Sequence, residues 1–188
     1  MDNRLKITPT PLAGVMVVET LLHVDERGHF YRAFCQQELA PILDGERIEQ
    51  INLSQTVTAG TLRGMHFQRH PHSELKLIRC TKGRIWDVAV DLRGDSPTFL
   101  QWYAIELNKD NRCMLAVPKG CAHGFQTLEA DCEILYLHTA RYNPESEGGI
   151  RFDDPLVSIQ WPLPPAYLSE RDRSYPLLES HKHARMIV

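Results

Sequence analysis

The sequence lacks several features that would place it in other classes of protein. It has no run of roughly 18 consecutive apolar residues, which a transmembrane helix requires. Its N-terminus, Met1–Lys6, has no apolar core of the kind found in signal peptides. Lysine and arginine number 21 against 24 aspartates and glutamates, so no basic excess is present to neutralise a nucleic-acid backbone. We therefore expect a cytoplasmic protein that binds neither membranes nor nucleic acids, and that binds phosphate through a few placed arginines.

The sequence also lacks any Cys-x-x-Cys pair. The five cysteines are scattered and odd in number: Cys35, Cys80, Cys113, Cys121 and Cys132. Free buried thiols in a reducing compartment are the expected outcome. A catalytic thiol at Cys121 is the alternative, because residues two apart on a strand share a face and His123 follows at that spacing. We favour packing, since small residues in tight glycine-containing turns often include cysteine.

Helical patterns are scarce, and only Gln36–Leu43 and the region near Leu168–Asp172 have a weak helical character. Short apolar or alternating segments recur instead, separated by turn residues. The predicted strands are Val15–His23, Phe30–Phe34, Gln50–Gln55, Thr61–Gln68, Leu75–Thr81, Arg84–Asp91, Phe99–Leu107, Arg112–Val117, Gly124–Leu128 and Cys132–Thr139. Without alternation of strands and helices, this pattern predicts one all-β domain over residues 1–188, with a jelly roll of antiparallel sheets as the best fit. The proline-rich C-terminal part, residues 155–188, is expected to wrap around it.

Polar residues on three predicted strands indicate a reaction class. His66 has an ordinary pKa near neutrality and suits a general base. Lys76 lies in an apolar run and Tyr136 lies in another, which adds a cation and a phenol. Arg63 stands three residues before His66 and suits an anionic substrate. This combination suits proton abstraction next to a carbonyl group of a phosphorylated substrate.

The same residues have simpler interpretations when each is taken alone. His66 and Tyr136 are also typical of satisfied side chains in a sheet, and Lys76 of a solvated surface lysine. In a regular strand, moreover, Arg63 and His66 point to opposite faces. A shared site therefore requires a local irregularity, and a bulge at Gly64 would supply one.

A metal site is a further alternative. His70, His72 and His123, with nearby glycines, partly resemble the two metal-binding boxes of cupins, and histidines on a jelly roll suit iron or zinc. Glu74 follows His72 by only two residues, which is too close for the usual glutamate ligand. We expect no metal and no cofactor.

Ordered motifs over nearly the whole chain, from about Gly14 to Leu178, closely resemble the dTDP-4-dehydrorhamnose 3,5-epimerase family of metal-free, cupin-like enzymes. The matching segments are Asp25–Gly28, Leu62–Gln68, Lys76–Cys80, Asp87–Asp91, Asp95–Phe99, Pro118–Phe125, Gly149–Pro155 and Leu168–Asp172. The resemblance implies a cupin-like jelly roll that inverts C3 and C5 of a nucleoside-diphosphate 4-keto-6-deoxyhexose without a cofactor.

The resemblance also implies individual roles. His66 matches the proton acceptor, Asp172 the carboxylate that orients it, Tyr136 the proton donor on the opposite sugar face and Lys76 the group that stabilises the enolate. Substrate contacts are implied for Arg27, Gln50, Asn52, Arg63, His123, Tyr142, Glu147 and Arg171, with Tyr142 stacking on the nucleobase. The position of Arg27 matches a residue that reaches into the partner subunit's site. This implies a homodimer in which residues 1–35 are exchanged.

The sequence departs from the family pattern at Arg32, where a substrate-contacting glutamate is common. Arg32 either contacts the nucleotide or points to solvent or a nearby acid, and both interpretations stay open. Three alternative functions also stay open: epimerisation at C3 or C5 alone on another nucleotide sugar, a metal-dependent cupin isomerase or dioxygenase, and a binding module without turnover. Retention of the four proposed catalytic residues together argues against the binding module.

Overall fold

The fold is a sandwich of two antiparallel sheets, seen in a computed structural model that describes residues 4–179. The strands are β1 (Leu5–Pro9), β2 (Met16–Thr20), β3 (Leu22–Asp25), β4 (Gly28–Tyr31), β5 (Gln50–Thr56), β6 (Leu62–Gln68), β7 (Lys76–Lys82), β8 (Arg84–Asp91), β9 (Trp102–Asn108), β10 (Met114–Val117), β11 (Cys121–Thr127), β12 (Cys132–His138) and β13 (Glu147–Gly149). The two helices are α1 (Ala40–Leu43) and α2 (Glu170–Ser174). The predicted all-β jelly roll is confirmed. Neither helix is long or apolar enough to cross a bilayer.

The two large sheets enclose the main core. One has six strands in the order β1-β2-β10-β7-β12-β5, and the other has five in the order β13-β6-β11-β8-β9. Alternation along each strand sends one set of side chains between the sheets, among them Ile78, Ala89, Phe125 and Ile134. Because Lys76 and Tyr136 share the parity of Ile78 and Ile134, both point between the sheets and toward the cavity described below.

The outer faces of the two sheets are also covered. Helix α1 packs Leu39 and Leu43 on the six-stranded sheet. On the five-stranded sheet, Met65 and Val88 pack against Val157 and other residues of the C-terminal segment. The predicted C-terminal wrap continues into residues 180–188, which lie outside the described part of the chain, as do residues 1–3 of the predicted exchanged segment.

Several predicted boundaries were wrong. The predicted strand Val15–His23 is divided, because the chain leaves the six-stranded sheet at Leu21 and forms a separate two-stranded hairpin from β3 and β4. Strands β1 and β13 were not predicted, since β1 ends at a proline and β13 has only three residues, two of them glycine. Helix α2 starts later than predicted because the hydroxyl of Ser169 caps it, accepting from the backbone N–H of Asp172.

A bulge at Gly64 turns two side chains toward the same space. His66 pairs with His123, whereas Arg63 pairs with Phe125, so three residue steps on β6 oppose two on β11. The backbone at Gly64 has φ +132°, a conformation that side chains other than glycine rarely adopt. The predicted irregularity is therefore present, and it brings Arg63 and His66 to one face.

We expect Gly64→Ala to destabilise the fold by about 3 kcal/mol, because it adds backbone strain and a steric clash. A Cβ atom at this position would lie 2.5 Å from the Cα atom of Gly124. Gly45→Ala is the matched control, since Gly45 also has a positive φ, +79°, but has open space around its Cβ position. The control should lose about 1 kcal/mol. Urea unfolding of both variants measures the difference, and equal losses would contradict the steric argument.

Candidate active site

A cavity of about 260 Å³ opens between the two sheets. The residues that line it come from both sheets and from the C-terminal segment. They are Asn52, Arg63, His66, Phe67, Gln68, Glu74, Lys76, His123, Phe125, Tyr136, His138, Tyr142, Glu147 and Arg171. Most of the residues predicted from the sequence thus converge on one space. Gln50 lies in an adjoining lobe with Tyr142 and Glu147.

His66 and Asp172 form a hydrogen-bonded pair on the five-stranded side of the cavity. The Nε2 atom of His66 lies 2.7 Å from Oδ1 of Asp172. The other carboxylate oxygen accepts the backbone N–H of Gly64 at 3.2 Å. Burial raises the pKa of Asp172, but the hydrogen bond and charge of His66 and the N–H of Gly64 outweigh it, so that the pKa falls below its ordinary value. An ionised Asp172 holds the proton of the ring on Nε2 and leaves Nδ1 as the acceptor.

Tyr136 faces this pair from the six-stranded sheet. Its hydroxyl lies 3.0 Å from Oγ of Ser54, and its ring meets that of His123 edge-on at 6.4 Å. Burial raises the pKa of Tyr136 well above its ordinary value, and the hydrogen bond from Ser54 lowers it only in part. The phenol therefore keeps its proton at neutral pH and is suited to act as an acid.

His123 is supported by a buried carboxylate. Its Nε2 atom lies 2.8 Å from Oδ1 of Asp87, and both side chains are buried. Burial raises the pKa of Asp87 although the charge and hydrogen bond of His123 oppose the rise. Asp87 thus fixes the His123 ring in the wall of the cavity, next to Tyr136.

Lys76 is the cation of the inner wall. Its side chain is only 12% exposed, and its Nζ atom lies 3.2 Å from Oε1 of Glu74. This settles the orientation that the sequence left open, because Lys76 points inward and is paired. The second oxygen of Glu74, Oε2, accepts from Nδ1 of His138 at 2.8 Å.

The mouth of the cavity carries a polar cluster. Nη1 of Arg171 donates to both carboxylate oxygens of Glu147, at 2.8 and 2.9 Å. The hydroxyl of Tyr142 donates to the same carboxylate at 2.9 Å. The backbone N–H of Tyr142 donates to Oε1 of Gln50 at 3.1 Å, and Nε2 of Gln50 donates to Asn52 at 3.2 Å. An exposed aromatic ring beside an arginine at an open mouth is suited to a nucleotide.

Two arginines lie away from this cavity. Arg27 stands at the turn of the β3–β4 hairpin, with its side chain 84% exposed and paired with Asp25. Arg32 forms an ion pair with Glu38, which also accepts the backbone N–H of Leu5. Of the two interpretations left open for Arg32, pairing with a nearby acid is therefore the one observed within the chain.

The histidines and the cysteine of the alternative mechanisms are not arranged for those mechanisms. Among residues 4–179, no group of three histidines, cysteines, aspartates or glutamates is placed to hold a metal ion. His72 instead lies 3.1 Å from the side chain of Asn143. Cys121 is buried in the core, and burial raises the pKa of its thiol to about 12, far from that of a reactive thiolate.

Sequence reasoning assigned no role to several residues of the site. Glu74, His138, Asp87 and Ser54 each hold a predicted site residue, and Tyr175 packs edge-on against His66 at 6.1 Å. A usable signal existed for His138, since it is two residues from Tyr136 on β12 and so shares its face. Glu74 precedes β7, and only its nearness to Lys76 in the sequence pointed to it. Ser54 lacks such a signal, because its partner lies on another strand.

Comparison with known proteins identifies the family of this chain. The family profile described as dTDP-4-dehydrorhamnose 3,5-epimerase matches residues 9–180. The dTDP-4-dehydrorhamnose 3,5-epimerase of Sinorhizobium fredii is 42% identical over 168 residues, covering 89% of this chain and 86% of its own. The enzyme of the same name from Salmonella typhimurium is 38% identical over 177 residues, covering 92% and 95%.

A solved structure gives the same result. The dTDP-6-deoxy-D-glucose-3,5-epimerase of Legionella pneumophila, in complex with dTDP-4-keto-L-rhamnose, is 36% identical and superposes with a TM-score of 0.88. The alignment covers 95% of this chain and 96% of that structure. With the profile match over most of its length and these relatives, the chain belongs to the dTDP-4-dehydrorhamnose 3,5-epimerase family.

Proposed function

We propose that the chain inverts C3 and C5 of dTDP-4-dehydro-6-deoxy-D-glucose and yields dTDP-4-dehydro-L-rhamnose. The observation that carries the proposal is the opposed placement of two proton-transfer groups. The pair of His66 and Asp172 lies on one wall of the cavity, and Tyr136 lies on the facing sheet, with Lys76 between the sheets. Inversion at carbon needs a base on one face of the sugar and an acid on the other, since a single base returns the proton to the face it came from.

The 4-keto group makes the hydrogens on C3 and C5 acidic. His66 removes one of them, and the electron pair of the C–H bond moves onto the C4 oxygen as an enolate. The ammonium group of Lys76 stabilises the developing negative charge, and His123 contacts the sugar from the cavity wall. Tyr136 then donates its proton to the same carbon from the opposite face, and the ketone re-forms. His66 then releases its proton to solvent and Tyr136 takes one up, and repetition at the second carbon completes the reaction.

Binding of the nucleotide is assigned to the mouth of the cavity. The ring of Tyr142 stacks on the nucleobase, while Arg171 and Arg63 offer guanidinium groups to the diphosphate. Gln50, Asn52 and Glu147 supply further hydrogen bonds. The ion pair of Arg171 with Glu147 must loosen or share its donors when phosphate arrives.

We also propose a homodimer in which the β3–β4 hairpin completes the partner's site. The hairpin is a two-stranded sheet separate from the two large sheets, and such hairpins are marginally stable alone. It exposes Phe30 at 74% and Val24 at 67%, next to the exposed Arg27. Apolar surface of this kind is typical of an interface. A cytoplasmic location and independence of metals stay predictions from the sequence.

The central test follows deuterium from solvent into the sugar. In deuterated water, the parent protein should introduce label at C3 and at C5, which NMR distinguishes. His66→Asn and Asp172→Asn should each lower turnover about 100-fold or more while retaining fold and dTDP binding, because general-base catalysis typically contributes that much. Deuterium at only one carbon would show that the protein inverts a single centre. Near-parental turnover of His66→Asn would show that His66 is not the base.

Tyr136→Phe should separate exchange from inversion. The variant retains His66, so deuterium should still enter the carbon that His66 deprotonates, but it should return from the original face. The expected product is labelled substrate with unchanged configuration, read by NMR coupling constants. Ser54→Ala is the matched control, because it removes the hydrogen-bond partner of the phenol and leaves the acid in place. Full inversion by Tyr136→Phe would require another proton donor.

Co-expression of two inactive variants tests the exchange of the hairpin. If Arg27 serves the partner's site, a mixed dimer of Arg27→Ala and His66→Asn has one intact site and one doubly defective site. Random pairing should then restore about a quarter of the parental activity, since half of the dimers are mixed. Each variant expressed alone is the control. No recovery in purified mixed dimers would show that Arg27 does not act across the interface.

A further inference from the structure

Glu74 is a buried carboxylate inside the cavity for which the proposed reaction has no role. It lies just before β7, is 8% exposed and contacts two functional side chains at once. Oε1 lies 3.2 Å from Nζ of Lys76, and Oε2 lies 2.8 Å from Nδ1 of His138. A carboxylate that contacts one partner with each of its two oxygens fixes the distance between those partners.

The contact of Glu74 with His138 extends to Tyr136, the proposed proton donor. The ring of His138 stacks on that of Tyr136, with centroids 6.1 Å apart and an angle of 26° between the planes. The opposite ring nitrogen, Nε2, lies 3.4 Å from the amide of Asn52. With Nδ1 facing the carboxylate of Glu74 and Nε2 facing the amide of Asn52, both edges of the His138 ring are held in place. The ring of His138 thereby packs against one face of the Tyr136 ring.

The contact of Glu74 with Lys76 bears on the charge of that lysine. An ammonium group in a cavity wall is costly unless it is paired, because burial favours the neutral amine. Glu74 is suited to supply the counter-charge. Burial raises the pKa of Glu74, but the hydrogen bond of His138 and the charge of Lys76 outweigh it, and the carboxyl stays below its ordinary pKa. Glu74 therefore presents a negative charge to the Nζ atom of Lys76.

We propose that Glu74 is a positioning residue for the epimerisation, which keeps Lys76 charged and aimed at the enolate and, through His138, holds Tyr136 in place. The inference rests on the proposed function, because it assigns Lys76 and Tyr136 their roles in that reaction. Glu74 need not touch the sugar. It couples the group that stabilises the intermediate to the group that protonates it, so that both stay aligned with one carbon.

Glu74→Gln tests this role, because it keeps the shape and removes the charge. We expect kcat to fall about tenfold or more while KM for the nucleotide sugar changes less than about threefold, since the lost interaction serves the transition state more than binding. The alkaline limb of the kcat profile should also move to lower pH, because Lys76 then lacks its counter-charge. Lys76 and His138 contact Glu74 directly, and Glu147 and Arg171 line the same lobe of the cavity.

Two further variants make the result decisive. Glu74→Asp keeps the charge on a shorter side chain, so it should retain the parental pH profile with an intermediate kcat. Glu129→Gln removes a partly exposed carboxylate that pairs with Arg84 outside the cavity, and it should leave both parameters unchanged. Thermal unfolding and dTDP binding establish that each variant is folded. If Glu74→Gln does not fold, a parental kcat in Glu74→Asp would overturn the proposal.

The outcomes distinguish this inference from the proposed function. A parent protein that introduces no deuterium at C3 or C5 would refute the proposed function and this inference with it. A parent that is active, with Glu74→Gln showing the same kcat and the same pH profile, would refute the positioning role alone. A fall in kcat with the shifted alkaline limb, and retention of that limb in Glu74→Asp, would support it.

Discussion

The close approach of two backbone segments, at Gly64 on β6 and Gly124 on β11, is the constraint on which the site depends. The bulge at Gly64 exists because no side chain separates these strands, and a Cβ atom on either glycine would clash with the other segment. Without the extra residue, β6 would send either Arg63 or His66 to the outer face. The same glycine donates its N–H to Asp172, so the irregularity that turns the base inward also orients its carboxylate.

A second theme is that three basic groups of the cavity are each backed by an acid, whereas Arg63 donates to Thr56 and Gln55. Asp172 lies behind His66, Asp87 behind His123 and Glu74 behind Lys76. Each pair balances its charges locally, which limits the cost of burying them. The arrangement also fixes the rings and the ammonium group before substrate arrives, so the proposed reaction needs little reorganisation when negative charge develops at C4. The free energy for this preorganisation comes from the folding of the sandwich.

Much of the fold could be predicted from the sequence, because alternating apolar residues and turn residues mark most strands. Prediction failed where pairing rather than local pattern decides, as in β13, whose glycines form a strand only because they meet β6. The same limit applies to the site. His66, Lys76 and Tyr136 were found because their chemistry stands out in apolar strands. Glu74 was considered only as a metal ligand and set aside for its spacing from His72, and its contact with His138 forms only after β7 and β12 pair.

The order in which the site is synthesised follows from the position of α2. Asp172 lies 106 residues after His66, on a short C-terminal helix that packs on β6 rather than within either sheet. A ribosome making this chain therefore emits His66, Lys76 and Tyr136 before Asp172, whose carboxylate pairs with His66. The sandwich strands can pair during that interval. Chains that end before α2 would present a cavity in which His66 lacks its carboxylate partner, and the pair of His66 and Asp172 forms only when α2 packs on β6.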